Sequence, residues 1–474
     1  MVAIVLVALS FTLASSALPS YAPHDLTSTT SLRRAVHTSK KNRTSTWAHN
    51  QAANLRNKYR GGKSIERRQS SGSTSLINLN ADSTFPFEVI LDTGSSDMWL
   101  AGTSCPSCAS VPRFDETASS TFSPTTTAFS IQYGSGNASG SLVSDVVQMS
   151  GFEIPNQSFA VVSQVSRGLL DNDISGLLGL GFSTIASSGA VPFAETLAEQ
   201  NVLKQPLFSF FLTRFLDVLQ TGDNIAQYGG EFTLGGTDST LFTGDVEFVD
   251  IPAGREGFWG LEMSTLIVNG QEIPVPSTEN FAAIDTGTTL VGGPSDLIAA
   301  IYSQVTGAVR GATVDPDLEG FWVYPCSSPI VISLAFGAKG QNSQWTVDPR
   351  DMELMRLSAR LCVGAFFEID LGPSSENPAW IVGDTFLKSV YSVYRFDPPS
   401  VGFAKLSPVA LARNGVIDQQ LPTATSVSNP TRATASGVPS GGRLTKDRGN
   451  DAPRTVMSWT AVVVSALVVG FGVM

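Results

Sequence analysis

Between Gln69 and about Lys405, short apolar or alternating runs are punctuated by Gly, Pro, Asn and Asp, the pattern of strands joined by turns. Helical spacing of apolar positions is confined to 192–203 (PFAETLAEQNVL), 294–306 and 384–391. Two stretches repeat one another, VILDTGSSDMWL around Asp92 and AAIDTGTTLVGG around Asp285. In each, an apolar run that reads as a buried strand ends in Asp-Thr-Gly and a hydroxyl residue, which places a carboxylate on a tight turn. A second echo links Ile174–Leu180 (ISGLLGL) with Trp380–Asp384 (WIVGD), apolar pairs ending in Gly where a buried strand passes close under another backbone. From Phe129 to Gly136 the chain alternates and then turns at glycines, which predicts a hairpin. The body is therefore expected to be all-β, with two related halves.

Outside the body the pattern changes. Residues 1–17 are an apolar run followed by small residues, as in a secretory signal. Residues 18–68 carry eleven Lys or Arg against Asp25 and Glu66 and end in the dibasic site Glu66-Arg67-Arg68-Gln69. Beyond that site the chain holds 19 basic and 39 acidic residues. A basic leader before an acidic body predicts an electrostatically docked propeptide, with a disordered basic linker as the alternative. Residues 406–455, rich in Ser, Thr, Pro, Ala and Gly, read as an O-glycosylated stalk. The uncharged apolar tail 456–474 follows small residues (Ser440-Gly441-Gly442 or Gly449-Asn450) and a polar spacer, like a GPI-attachment signal; a retained tail anchor is the alternative. The expected division is signal 1–17, propeptide 18–68, N-terminal lobe 69–245, C-terminal lobe 246–405, stalk 406–455 and tail 456–474. The expected location is the secretory pathway and then the cell surface or the medium.

Composition narrows the chemistry. All three histidines, His24, His37 and His49, precede the dibasic site, so the body beyond it has none. Ser-His and Cys-His nucleophilic catalysis are thereby excluded, and the commonest zinc ligand is missing. The chemistry must rest on carboxylates, hydroxyls or backbone, with no metal or cofactor expected. The acidic balance points away from nucleic acid. Four cysteines allow three connectivities, of which Cys105–Cys108 and Cys326–Cys362 give one bridge to each half. A redox role for Cys105-Pro-Ser-Cys108 lacks its βαβ setting. Glycosylation sequons start at Asn42, Asn137 and Asn156, while Asn429 is followed by Pro.

Brought face to face, the two Asp-Thr-Gly turns put two carboxylates within hydrogen-bonding distance. Like charges so close hold one proton between them, so one group serves as base and the other as acid on a single water.

These residues resemble the pepsin family of aspartic endopeptidases, in particular its fungal, GPI-anchored, yapsin-like members. The likeness covers about 76–405 and rests on DTGSSDMW, YGSG, the apolar-Gly pair, DTGTT, and WIVGDTFL followed by Tyr394 and Phe396-Asp397. It implies a bilobal fold of two pseudo-symmetric β-barrel-like lobes with the cleft between them. Asp92 and Asp285 would form the dyad, Thr93 and Thr286 would cross-link the two loops, and Ser95 and Thr288 would bond the outer carboxylate oxygens. Gly94 and Gly287 would let their amides approach the carboxylates. Tyr133, Gly134 and Ser135 would belong to a flap over substrate, with Trp99 donating to the Tyr133 hydroxyl. Ile90, Leu177, Phe258 and Trp259 would line pockets for apolar side chains of extended peptides. Lys58, in Asn57-Lys58-Tyr59, would lie across the dyad and silence it. The resemblance implies a monomer acting on proteins or peptides, held to the membrane by its C-terminal lipid anchor or tail.

One departure stands out. Family members carry a strand, a turn and an Ile-Gly-Thr-Pro stretch before the first motif, whereas Leu76–Phe87 here leads almost directly into Glu88-Val-Ile-Leu-Asp92. Loss of that hairpin would leave the strand carrying Asp92 with unmet backbone hydrogen bonds. A catalytically inactive pepsin-fold binding protein therefore stands as the alternative to an enzyme. A stalked wall protein would explain the tail but not the paired motifs.

Overall fold

The computed structural model describes residues 27–34, 43–60, 87–133, 136–166, 169–170, 174–214, 227–371 and 377–413. The signal, the dibasic site, Asn42, residues 76–86, Gly134, Ser135, the stalk beyond Arg413 and the tail lie outside the described residues. Residues 406–413, expected to open the stalk, are instead packed on the body with Ala410 fully buried. Among the described residues, no helix is long and apolar enough to cross a membrane.

Two elements belong to the basic leader, strand β1 (Ser28–Arg34) and helix α1 (Ser45–Arg60). Neither was expected from the sequence pattern. Ala48, Ala52, Leu55 and Tyr59 recur at helical spacing and form one buried stripe, packed with Leu290, Leu318, Phe321 and Phe367.

The first lobe is a six-stranded sheet of β2 (Glu88–Asp92), β3 (Met98–Ala101), β4 (Ser123–Tyr133), β5 (Gly136–Met149), β6 (Phe152–Val165) and β7 (Ile174–Gly179). Their spatial order is β2-β7-β3-β6-β5-β4. The apolar strands β2 and β7 run parallel and are buried almost throughout, whereas the second half of β5 alternates between core and surface. β2 stands at the edge of the sheet, with β7 as its partner among the described residues. Helix α2 (Phe193–Glu199) falls within the stretch with helical spacing and buries Phe193 and Leu197.

Strands β8 (Leu207–Leu212), β9 (Gln227–Leu234) and β10 (Phe242–Asp250) lead to the second lobe. There β11 (Gly260–Val268), β12 (Gln271–Ile273), β13 (Phe281–Ile284) and β14 (Val291–Gly293) precede helix α3 (Ser295–Ser303). Next come β15 (Val309–Arg310), β16 (Trp322–Pro325), β17 (Ile332–Phe336), β18 (Trp345–Thr346) and the short helix α4 (Pro349–Met352). The lobe continues through β19 (Glu353–Arg356), β20 (Leu361–Gly364), β21 (Phe366–Glu368), β22 (Trp380–Val382) and α5 (Asp384–Leu387). Its main sheet has the order β18-β17-β11-β13-β22-β14-β21, with β12 beside β11, and β15-β16-β20-β19 form a smaller one.

Strands β23 (Val390–Phe396) and β24 (Pro399–Leu406), followed by helix α6 (Pro408–Arg413), complete a sheet shared by both halves, β1-β9-β8-β23-β24-β10. The lobe boundary expected at 245 falls inside β10, because this sheet draws strands from both halves. The fold is thus bilobal and all-β, with the two lobes built alike. β2 lies parallel to β7, and β13 lies parallel to β22. Each aspartate strand is laid against the apolar-Gly strand of its own half.

Two features tie the elements down. Arg214, just beyond β8, donates to Asp351 Oδ2 of α4 at 2.6 Å, and Lys388 at the end of α5 reaches the other oxygen at 2.9 Å. All three side chains are buried. Disulfides join Cys105 to Cys108 and Cys326 to Cys362.

Candidate active site

The two Asp-Thr-Gly turns meet between the lobes. β2 ends at Asp92 and β13 ends one residue before Asp285, so both carboxylates emerge from buried parallel strands onto facing turns. Four hydrogen bonds knit the turns together. Thr93 Oγ1 donates to the Ile284 carbonyl at 2.8 Å and accepts the Thr286 amide at 2.9 Å. Thr286 Oγ1 donates to the Leu91 carbonyl at 3.0 Å and accepts the Thr93 amide at 3.1 Å. A hydroxyl that both donates and accepts is what this reciprocal lock requires.

Each carboxylate sits in a matching cradle. Asp92 Oδ1 accepts the Gly94 amide at 2.9 Å, and its Oδ2 accepts the Ser95 hydroxyl at 2.6 Å. Asp285 Oδ1 accepts the Gly287 amide at 2.8 Å, and its Oδ2 accepts the Thr288 hydroxyl at 2.5 Å. The glycines are sterically compelled: a Cβ at 287 would lie 2.3 Å from Asp92 Oδ1, and one at 94 would lie 2.5 Å from Asp285 Cγ.

Lys58 of α1 fills the space between the carboxylates. Its ammonium donates to Asp92 Oδ1 at 2.8 Å and to Asp285 Oδ2 at 3.0 Å. The neighbouring Tyr59 hydroxyl donates to Asp285 Oδ2 at 2.9 Å. Sequence reasoning missed Tyr59, although its place on the apolar stripe of α1 was available as a signal. The two acids are driven apart. Burial, aided by the nearby Asp285, raises Asp92 above the ordinary carboxyl range against the pull of Lys58. Burial also pushes Asp285 upward, but Lys58 and hydrogen bonds from Asp92 and Thr288 outweigh it and hold Asp285 below that range. For Lys58 itself, burial opposes the charge, and the two carboxylates more than restore it.

Around the dyad, Tyr133 closes β4 and its hydroxyl accepts the Trp99 indole N–H at 2.7 Å. Burial and the charges of Asp97 and Asp92 raise the Tyr133 hydroxyl well above its usual value, so it stays a neutral donor and acceptor. Ile90 and Leu177 cluster with Tyr133 and Trp99. Phe258 packs against Tyr59 with ring centroids 5.2 Å apart. Trp259 goes elsewhere: it is fully buried, donates to the Leu180 carbonyl at 2.7 Å and packs on Phe182, Phe208 and Tyr394. It supports the floor rather than lining the cleft. Asn137 and Asn156 are exposed. Among the described residues, no three His, Cys, Asp or Glu side chains are grouped so as to hold a metal ion.

A two-lobed β fold that turns paired Asp-Thr-Gly loops toward each other defines an aspartic peptidase. Residues 83–406 match the family model described as eukaryotic aspartyl protease, and the chain belongs to that family. Major aspartyl peptidase 1 of Cryptococcus neoformans var. grubii is 34% identical over 405 residues, spanning 76% of this chain and 80% of that protein. The aspartic protease of Phaffia rhodozyma is 33% identical over 76% of this chain and 83% of its own length. Cathepsin D of Gallus gallus is 32% identical, with 67% of this chain and 77% of that protein aligned.

Proposed function

We propose that this chain is an acid-acting endopeptidase, made as a zymogen, whose dyad hydrolyses peptide bonds of proteins without metal or covalent intermediate. The observation that carries the reading is the pair of matched cradles, in which two buried carboxylates, bonded alike, face each other closely enough to hold one proton between them. With Lys58 gone and one proton shared by the pair, the ionised carboxylate, taken as Asp285, accepts a proton from a water whose oxygen forms a bond to the peptide carbonyl carbon. Asp92, holding the shared proton, gives it to the carbonyl oxygen, and a tetrahedral diol results. Collapse breaks the C–N bond as the proton on Asp285 passes to the leaving nitrogen, while Asp92 recovers a diol proton. Electrons and protons balance, and the dyad ends as it began.

The leader supports the zymogen reading. Lys58 and Tyr59 occupy the place where water and substrate carbonyl must sit, and a cut after Arg68 would free both. The apolar surroundings of Ile90, Leu177 and Phe258 favour extended peptides with bulky apolar residues beside the scissile bond. The sequence supports a signal at 1–17, the stalk, a GPI-type or retained tail at 456–474, glycans at the exposed Asn137 and Asn156, and a monomer at the cell surface.

The test is cleavage of a peptide library at acidic pH by protein processed at the dibasic site. Activity should be blocked by pepstatin and abolished in Asp285→Asn. Cleavage that survives both would overturn the dyad assignment, and no cleavage at all would favour a pepsin-fold binding protein.

A further inference from the structure

The hairpin of β4 and β5 is fastened at its shoulder by one side chain that the reaction does not use. Tyr133 pairs with Gly136 and Gln132 with Asn137 across the hairpin, so Asn137 lies on the face opposite Tyr133. There Ser166, just beyond β6, holds Asn137 three times. The Ser166 hydroxyl donates to Asn137 Oδ1 at 2.6 Å and accepts the Asn137 amide at 2.9 Å, and the Ser166 amide donates to the Asn137 carbonyl at 2.9 Å. Gly136 permits this contact. Its φ of 147° is one that side chains rarely adopt, and a Cβ there would lie 2.3 Å from Ser166 Cβ. On its other side, the Ser166 carbonyl accepts the Leu169 amide at 3.2 Å. Leu169 is buried with Tyr133, Ile90 and Leu177.

We propose that Ser166 is a positioning residue that joins the Tyr133 hairpin to the Leu169 wall, so that hairpin and apolar wall take up substrate as one body. The proposal rests on the peptidase reading for its kinetic consequence, but the coupling itself is a property of the fold. Losing the clamp lowers the fraction of molecules in the binding-competent arrangement, and apparent affinity falls by that fraction while the bound complex reacts as before. Asn137 also begins a sequon, and its Oδ1, not its nitrogen, makes the bond to Ser166, so a glycan on the nitrogen is compatible with the clamp.

The experiment uses the processed protein and four variants. Ser166→Ala and Asn137→Ala should raise KM for an apolar peptide about ten-fold with kcat within about two-fold, the effect of one or two lost hydrogen bonds. Asn137→Asp keeps the acceptor and should restore KM to near the parent value. Ser139→Ala removes the sequon alone and should leave KM unchanged, which separates the clamp from the glycan. Amide exchange in Ser166→Ala should quicken both at Phe129–Tyr133 and at Leu169. An unchanged KM, or faster exchange on only one side, overturns the coupling. If the parent protein cleaves no peptide, the exchange pattern alone decides this proposal, and the peptidase reading fails separately.

Discussion

At the scale of single residues, the site depends on atoms that are absent as much as on those present. Gly287→Ala would drive a Cβ to 2.3 Å from Asp92 Oδ1, an oxygen already fixed by the Gly94 amide. The carboxylates must separate, and a displacement of this size near reacting atoms costs about a hundred-fold in kcat. Steady-state kinetics with a thermal melt would check it: kcat should fall while the melting temperature barely moves. Thr93→Val keeps the shape but leaves the buried Thr286 amide without its acceptor and the Ile284 carbonyl without that donor. Denaturant unfolding should show a loss of about 3 kcal/mol, since each orphaned buried group costs roughly 1–3 kcal/mol. Much of this scale was legible in the sequence, because the chemistry is local: an apolar strand, a carboxylate, a glycine and a hydroxyl occur in order, twice. Phe258 and Trp259 were not separable. They are adjacent in sequence and equally apolar, yet one meets Tyr59 over the dyad and the other sinks into the core.

At the scale of elements, what holds the lobes in register is partly ionic. Asp351 on α4 bonds Arg214 beyond β8 and Lys388 beyond α5, all out of contact with water. Removing the carboxylate in Asp351→Ala takes from two buried cations the acid they share and leaves Arg214 the more distant Asp348 at 3.8 Å, a loss of about 3 kcal/mol. Unfolding in urea would measure it, and a change below about 1 kcal/mol would show that the cations find other partners. This network could not be read from the sequence, where its members are 137 and 37 residues apart and none is part of a motif. Helices α2, α3 and α5 were legible from apolar spacing while the one-turn α4 was not, and the parallel pairing of β2 with β7 and β13 with β22 was foreshadowed by the echo between halves. α1 carries the same spacing signal at Ala48, Ala52, Leu55 and Tyr59, but two of the four are alanines and polar and basic residues surround them, so the stripe is faint. β1 is a different matter. Its residues, STTSLRR, hold one apolar side chain, and the backbone pairing with β9 that makes it a strand leaves no such trace in the sequence.

At the scale of the whole molecule, a basic leader lies on an acidic body, and pH should govern how firmly it is held. Lys58 is not the sensor, because its carboxylate partners lift its proton affinity further above the neutral range. Asp285 is. Its pKa is depressed in the docked state, so its contribution is fully present above the ordinary carboxyl value and is lost as pH falls through the depressed one. Asp315 has the same sign: hydrogen bonds from the Ser45 side chain at the start of α1 and from the Asp317 amide hold it low, although its exposure to water makes its share small. Asp92 is raised by its burial and by Asp285 while Lys58 pulls against that rise, so protonating Asp92 likewise takes a partner from the ammonium. The net outcome is a leader held firmly from neutral pH up to the range where Lys58 deprotonates, and released below the ordinary carboxyl value of about 4. To separate release from self-cleavage, the chain should carry Asp92→Asn and be cut at the dibasic site by an added protease, with Trp47 of the leader reporting dissociation by fluorescence. Dissociation should rise steeply only below about pH 4. Because the contacts at Lys58 are buried, salt at neutral pH should do far less than acid. Release that begins between pH 6 and 7, or that salt alone produces, would transfer control from the dyad to the leader's exposed charges.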